Sequence, residues 1–537
     1  MTGIAAVSLG RQAQLSDISV LGKHIATGYL TDVSPSALRK AAQGVAVQAR
    51  AALGDLYTTP RESDGLSVEM VRTVWSFTYR CPNCAYELVY YEYLVLNGMS
   101  GPTKCPKCSG PFARRSWPRA DDVPVEVVVR DRHGRLTEQE VGEVDFEAIL
   151  RAAKDPRQAQ VPSRTIDPSR EMYSRSGLGK AGLTETAGFF SPRNAIALLE
   201  LWRAISSLED QGLRKKLSFS FTAILPRASR RYQWSAQRPL NAQNQTYYVA
   251  PIYYEWNVFE LFDRKVEAAI RADEEVTAST LFGKSREKRV EYTLSSADHL
   301  LHLDSESVDY VFTDPPFGSN IFYSDMNLFH EAWLGQITDH AHEAVMHTTG
   351  SKKNGAAERY ETLLRGAFAE AFRVLKPGRY MSVVFGNSDG RIWGLVQRAL
   401  RHAGFDAAPA HVAILDKGQR SVKGLNSGSE GVVTVDLIMT VQKPTEAEAA
   451  GLAVVPPQAD TAELIRTAIE TLPRLSGSNP SHVYAAILRD AIRRREAIDH
   501  LHLSDVLIGL RSAGYDIDLK TGLLIGPAPA EALSAAE

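Results

Sequence analysis

Asp309-Tyr310-Val311-Phe312-Thr313-Asp314-Pro315-Pro316-Phe317-Gly318 is the stretch on which the reading of this chain turns. Val308–Thr313 reads as an apolar strand, and it runs straight into Asp-Pro-Pro-aromatic. In an open α/β sheet, ligands bind at the carboxyl ends of the strands. Two prolines fix φ and remove two backbone donors, so nearby carbonyls can point outward as acceptors. The Asp314 carboxylate and the Pro315 carbonyl can then accept hydrogen bonds from an amine whose lone pair is delocalised into an aromatic ring. Such bonds favour a pyramidal nitrogen with an available lone pair. Phe317 can stack on that ring. A nucleic-acid base treated this way must leave its stack, a cost that an aromatic pocket partly offsets. A proline-terminated turn without chemistry is the plainer alternative.

Outward from the motif, residues 286–445 alternate strands and helices. Residues 292–295 are a candidate strand. Residues 358–375 form an amphipathic helix with Leu363, Leu364, Phe368 and Phe372, stopped by Lys376-Pro377-Gly378. A buried strand over 380–385, a helix over 393–403 and a strand over 433–441 follow. Upstream, the chain opens with a short helix ending in glycine, then Gln14-Leu15-Ser16-Asp17-Ile18-Ser19 and a second helix. An α/β unit of this kind ordinarily begins with a buried strand and a glycine turn. Residues 125–130 and 135–141 flank a hairpin turn, residues 142–185 read as loose and polar, and residues 194–208 as a helix. Beyond Pro444 an Ala/Pro/Glu-rich linker leads to two or three helices.

The cysteines give a second signal. All four fall in two knuckles, Cys81-Pro82-Asn83-Cys84 and Cys105-Pro106-Lys107-Cys108. Two Cys-x-x-Cys pairs about twenty residues apart can set four thiolates tetrahedrally around structural zinc. Disulfides are the alternative, a poor fit to two such pairs in a cytosolic protein. With no ligand spare, an open catalytic metal is not expected.

The chain has 537 residues, enough for several domains, and a net charge of −2, which neither favours nor excludes nucleic acid. No apolar run approaches the roughly 18 residues of a membrane span, and no secretory segment is evident, so a cytoplasmic protein without a membrane partner is expected. Any basic surface must be local. Between Asp210 and Glu255 there is no acidic residue, while Arg214, Lys215, Lys216, Arg227, Arg230, Arg231 and Arg238 alternate with Phe219, Phe221, Tyr232 and Trp234. Cations neutralise phosphates and aromatics stack on unpaired bases, which makes Arg227, Arg230, Arg231 and Trp234 candidate nucleic-acid contacts. A solvated face is the alternative, and Arg493-Arg494-Arg495 reads as one.

Taken together, the motif resembles that of the amino-methyltransferases, which modify the exocyclic amine of adenine or cytosine in DNA. More narrowly, residues 1–445 resemble bacterial adenine-specific DNA methylases with an internal zinc ribbon. The resemblance includes Glu255-Trp256-Asn257-Val258-Phe259, Val374-Leu375-Lys376-Pro377-Gly378 and Phe385-Gly386-Asn387-Ser388-Asp389. It implies a Rossmann-like fold, S-adenosylmethionine and zinc as cofactors, double-stranded DNA as substrate, and Asp314, Pro315, Pro316 and Phe317 as the catalytic residues. Asp17 matches the residue that binds the cofactor's ribose, with Ile18 beside it, and Asp298 the residue that reads its adenine amine. A surface-turn aspartate and a helix N-cap are the respective alternatives. Met1-Thr2-Gly3-Ile4 matches the end of the cofactor's glycine turn, which makes Thr2 and Gly3 cofactor contacts. The family's first strand and most of that turn are not in these residues. A start placed inside the reading frame, a strand from another chain, or weak cofactor binding would each account for this; the first is favoured, because the family often has methionine at this place.

The expected organisation is a Rossmann-like methyltransferase domain in two parts, 1–60 and 286–445. Between them lie a zinc ribbon and hairpin over 61–150 and a candidate DNA-recognition insert over 151–285. A linker and helical module occupy 446–537. Adenine N6 is the expected target, by family pattern, and restriction or phage-defence proteins are the partner class the resemblance admits. With no cysteine left as nucleophile, cytosine-C5 chemistry is disfavoured. Two rivals stay open: an RNA or protein amino-methyltransferase, and a zinc-ribbon nucleic-acid binder with a degenerate methylase domain.

Overall fold

The computed structural model describes residues 2–235, 247–279, 286–319, 321–405, 411–416, 433–445, 457–472 and 475–526. Arg238 and most of the expected linker lie outside them. The chain divides into two compact units, one of residues 1–15, 19–294 and 323–340, the other of residues 16–18, 295–322 and 341–537. The expected ribbon and recognition inserts belong to the first unit with the N-terminal helices. The C-terminal helices share one hydrophobic core with the second-unit sheet, in which Trp393, Val396, Val412 and Leu437 meet Tyr484, Ile487 and Val506.

The first unit is built on a five-stranded antiparallel sheet. Its strand Arg72–Arg80 pairs with Arg119–Arg130 on one side, and with Ile252–Trp256 and Glu87–Val89 on the other. Arg119–Arg130 and Leu136–Gln139 form the expected hairpin. Helices start where the sequence offers an oxygen cap and proline. Pro35–Leu53 begins at Ser34-Pro35 and Pro192–Ser206 at Ser191-Pro192, each serine accepting from a backbone N–H of the first turn. The expectation of a loose 142–185 needs correction. Glu143–Lys154 is a helix that buries Ala148 and Ala152 and leaves Val144, Phe146 and Leu150 exposed. Its small buried residues hid the helical period.

A buried carboxylate of this unit is Glu255, in the Glu255-Trp256-Asn257 stretch. It is 2% exposed and pairs with Arg193 at 2.5 Å, with Trp75 Nε1 donating at 2.9 Å and Ser191 Oγ donating as well. Burial opposes its charge, yet the guanidinium beside it holds its carboxyl below the ordinary value. These residues tie the sheet to a helix, which gives that stretch a structural explanation.

Two histidines of this unit are kept neutral. Burial lowers His330 from 6.5 to about 4, with Arg231 adding repulsion, and burial lowers His24 to about 4. The unfolded chain binds protons at both positions between these values, so the folded state loses stability as pH falls from about 6.5 to 4. Between pH 7 and pH 5 we expect a loss on the order of 2 kcal/mol per histidine. Denaturant midpoints at the two pH values measure it. His330→Gln should reduce the pH dependence by about half, and an unchanged pH dependence would contradict the assignment.

The second unit carries a four-stranded mixed sheet ordered Val308–Thr313, Leu375–Phe385, Val435–Gln442, His411–Asp416. The first pair is parallel, the others antiparallel. The motif strand Val308–Thr313 therefore lies at an edge, and Tyr310 and Phe312 are 52% and 42% exposed. Helix Ala356–Val374 enters the next strand at Leu375. Lys376-Pro377-Gly378 does more than stop that helix. Val308 faces Leu375 and Tyr310 faces Tyr380, so a bulge of the second strand takes up the difference. Gly378 has φ +72°, and a bulge is where a sheet tolerates proline. Among the described residues no helix is long and apolar enough to cross a membrane.

Candidate functional site

The motif strand ends at Thr313, and Asp314 follows as an exposed residue with Pro315 buried behind it. The turn is held by its carbonyls. Pro316 O accepts from Gly318 N at 2.9 Å and from the Tyr360 hydroxyl at 2.6 Å. Phe317 O accepts from Asn387 Nδ2 at 3.0 Å, and Gly318 O from Met346 N at 3.2 Å. Gly318 sits at φ +77°, a left-handed conformation that glycine adopts without strain. Among the described residues no donor reaches the Pro315 carbonyl. Burial pushes the Tyr360 phenol well up, so it stays protonated and keeps donating. The Phe317 ring is partly buried, edge-on to Phe385 at 5.1 Å, and Phe385 in turn meets Trp393 at 4.9 Å.

Tyr360 and Asn387 were not singled out as site residues. Asn387 lies in the quoted Phe385-Gly386-Asn387-Ser388-Asp389 segment, but nothing local says that its amide crosses to Phe317. That segment is held in turn by the C-terminal helices. His502 Nδ1 accepts from Gly390 N at 3.1 Å, and Leu503 N donates to Ser388 O at 3.0 Å. A Cβ on Gly390 would stand 2.5 Å from the Leu501 carbonyl, which leaves room for glycine alone.

Of the residues expected at the cofactor, Asp17, Ile18 and Asp298 fall in the same compact unit as Asp314. Asp17 ends its strand exposed, and its carbonyl accepts from Ser295 N at 3.2 Å. Asp298 lies in a turn, with its carboxylate 3.0 Å from His299 Nδ1. Burial raises its pKa, but the bonds from His299 and Ser296 prevail and hold it below the usual carboxylate value. The turn rests on helix Ala356–Val374. Glu370 accepts from Leu300 N at 2.8 Å, and Arg373 donates to the Leu300 and Leu303 carbonyls.

Gly366 of that helix comes so near that an added Cβ would stand 2.7 Å from Asp298 Cβ. Gly366→Ala should therefore cost about 1–3 kcal/mol by overpacking. Gly44→Ala, in a helix with nothing within 4 Å of the added carbon, should stabilise by up to about 1 kcal/mol. Opposite shifts of the denaturation midpoint are the expected result; the same sign at both sites would refute the contact.

Thr2 and Gly3, expected at the cofactor where the glycine turn runs into a helix, open that helix. They are the first two residues of helix Thr2–Ser8. Gly3 is buried, with Val290 and Leu15 side-chain atoms 3.0 and 3.1 Å from a built Cβ. Its small size serves packing of that helix against strands Ala13–Asp17 and Val290–Leu294.

The four cysteines come together. Cys81 and Cys108 sulfurs are 3.7 Å apart, as are those of Cys84 and Cys105, and all four lie within 4.8 Å. Thiolates around a tetrahedral zinc, with Zn–S near 2.3 Å, lie about 3.75 Å from one another. The knuckles repeat one geometry. Ala85 N donates to Cys81 O, and Ser109 N to Cys105 O, at 2.9 Å each. Ala85 and Ser109 take φ +57° and +59°. Cys81 and Cys105 are buried among Trp75, Phe77, Tyr79, Leu88 and Trp117. The donor set and spacing fit zinc.

The expected nucleic-acid residues are placed differently from the reading of the sequence. Arg231 is 3% exposed, lies over the Tyr247 and Phe329 rings, and is pulled down to about 10 by burial. It presents no surface cation. Arg230 is bonded to Asp122 at 3.1 Å and to the Gly188 carbonyl at 2.6 Å. Arg227 is half-buried over Tyr232, and Trp234 packs edge-on to Tyr91 at 5.4 Å. Lys216, from the same span, is 1% exposed and paired with Asp273. A span without acids in sequence meets acids from other elements in space.

No family model and no curated protein matches the chain. Solved structures similar to it include a protein of Thermus thermophilus provisionally named a DNA modification methylase. It aligns at 19% identity over 34% of this chain and 62% of that chain, with a TM-score of 0.18. The same protein complexed with S-adenosyl-L-methionine aligns at 16% identity with the same coverage and TM-score. A SAM-dependent methyltransferase of Methanosarcina mazei aligns at 14% identity over 33% of this chain and 79% of that one, TM-score 0.18. The chain thus spans less than two thirds of the first of these proteins, and likeness of this size assigns no activity.

Proposed function

We propose that this chain is an S-adenosylmethionine-dependent DNA methyltransferase that modifies the exocyclic amine of adenine. The reading rests on the end of the motif strand. Tyr360 and Gly318 bind the Pro316 carbonyl and Asn387 binds the Phe317 carbonyl, which fixes the turn. The exposed Asp314 carboxylate and the Pro315 carbonyl are then the acceptors for the amine of a flipped base.

Bound S-adenosylmethionine would supply the methyl group on a sulfonium. The Asp314 carboxylate and the Pro315 carbonyl would accept hydrogen bonds from the two amine N–H groups and turn the nitrogen lone pair toward the methyl donor. A methyl taken by that nitrogen would leave its bonding electron pair on the donor's sulfur, and Asp314 would accept the proton the nitrogen loses. Positioning and hydrogen bonding carry the rate, with no covalent enzyme intermediate. Phe317 offers its ring to the base. Asp17, with Ile18 beside it, is assigned to the cofactor ribose and Asp298 to its adenine amine. The four cysteines hold zinc as a structural ion. Adenine rather than cytosine follows from the aspartate of the motif by resemblance.

The test is transfer of labelled methyl from S-adenosylmethionine to mixed-sequence duplex DNA, with the digested nucleosides separated. N6-methyladenine is expected. N4-methylcytosine would overturn the choice of base. DNA binding without any transfer would favour the nucleic-acid binder.

A further inference from the structure

The second cysteine knuckle belongs to a stretch that carries cations and no acids. From residue 93 to residue 120 there is no Asp or Glu, and Lys104, Lys107, Arg114, Arg115 and Arg119 lie within it. The contrast with the span from residue 211 to 254 lies in what the fold does with the charges. Arg119 is paired with Asp122 at 2.5 Å. Lys104, Lys107, Arg114 and Arg115 are all exposed. Among the described residues none of the four forms an ion pair. Exposed arginines elsewhere do, as in Arg39 with Glu267 and Arg151 with Asp55.

These cations stand on a rigid support. Lys104 and Lys107 flank and enter the knuckle, whose Cys105 N donates to Gly110 O at 2.7 Å. Arg114 and Arg115 occupy the turn that follows, closed by Ser116 N and Trp117 N onto Ala113 O at 3.0 Å each. Knuckle and turn are locked together. Trp117 Nε1 donates to Pro111 O at 3.0 Å, and the Phe112 and Trp117 rings lie 4.8 Å apart. The backbone that carries these four exposed cations is tied at both the knuckle and the turn, and an anionic partner would neutralise them.

We propose that this stretch of the cysteine ribbon binds the phosphate backbone of duplex DNA, with Lys104, Lys107, Arg114 and Arg115 as its contacts. It rests on the DNA reading above in its choice of polyanion, but not on methyl transfer. Closely spaced phosphates suit point charges on two lysines and forked donors on two arginines. The role expected for Arg227–Trp234 passes to another part of the first unit.

The test is duplex binding by the zinc-loaded full chain, measured by fluorescence anisotropy across a salt series. Each phosphate contact contributes about 0.9 to the slope of log K against log salt. Replacing all four cations by glutamine should flatten that slope by about 3 to 4 and weaken binding at least about tenfold. Arg39→Gln with Arg151→Gln, which removes two paired arginines, should leave both unchanged. Zinc content is measured alongside. If the fourfold variant loses zinc, Arg114→Gln with Arg115→Gln, outside the knuckle, should flatten the slope by about 2. An unchanged slope, no duplex binding by the unaltered protein, or equal losses in the control would overturn the proposal, as would binding of single-stranded RNA in preference to the duplex. Duplex binding is measured without S-adenosylmethionine and without methyl transfer, so failure of the methyl-transfer reading and failure of this one give different results.

Discussion

Asp314→Ala is expected to lower the rate of methyl transfer by about 10²–10³-fold while leaving the fold intact. The two parts of this expectation have separate causes. Asp314 is exposed and follows the last residue of the strand, so its truncation opens no cavity and the chain should still fold. The loss of rate follows from its assigned work of accepting an amine proton in the transition state. Binding of cofactor and DNA should persist, so the loss should appear in kcat. Asn387→Ala makes a useful companion. It removes the bond to the Phe317 carbonyl and should also release the bond from Asp389 N to the Asn387 side chain. Both stability and rate should fall, because the turn is loosened rather than its acceptor removed. Single-turnover transfer and denaturant midpoints on the two variants separate these cases. Full activity in Asp314→Ala would remove the catalytic assignment.

Cys105→Ser, or removal of metal by a chelator, is expected to have the largest effect on stability. Cys105 is 2% exposed and belongs to the same apolar cluster as Trp75, Phe77, Tyr79 and Trp117. With zinc bound, four thiolates share its charge. Without it, they crowd within 4.8 Å and either repel or protonate and separate. Apparent binding energies for structural zinc sites run to about 10–16 kcal/mol in small domains. Here the strand Arg72–Arg80, which leads into Cys81, is also held by Arg119–Arg130 and Ile252–Trp256. The loss should therefore be centred on the ribbon, between residues 81 and 117. Metal analysis should find about one zinc per chain. Chelation should lower the melting temperature and raise amide exchange in the ribbon first. A chelator-treated protein with an unchanged melt and unchanged exchange would contradict a structural metal.

The chemistry-bearing motifs could be read from the sequence because each is local. An apolar strand ending in Asp314-Pro315-Pro316-Phe317 states its own geometry, since proline fixes φ and removes donors. Val308–Thr313 is a strand over the residues expected. Two Cys-x-x-Cys knuckles state theirs as well, and the four sulfurs meet. Parts of the site that act across long sequence separations were not legible. Tyr360 reaches Pro316 from a helix 44 residues on, and Gly366 makes room for Asp298 from another position on that helix. No periodicity or propensity announces such pairs.

Charge shows the same division most clearly. The sequence alone determined that residues 211–254 and 93–120 carry cations and no acids. Only the tertiary structure decided which of these charges remain at the surface. In the first span Asp122 and Asp273, from distant elements, take up Arg230 and Lys216, and burial removes Arg231. In the second, the knuckle and its turn keep Lys104, Lys107, Arg114 and Arg115 exposed. The physical reason is that a residue's charge is fixed by its chemistry, whereas its partner and its solvent are set by what the fold packs against it.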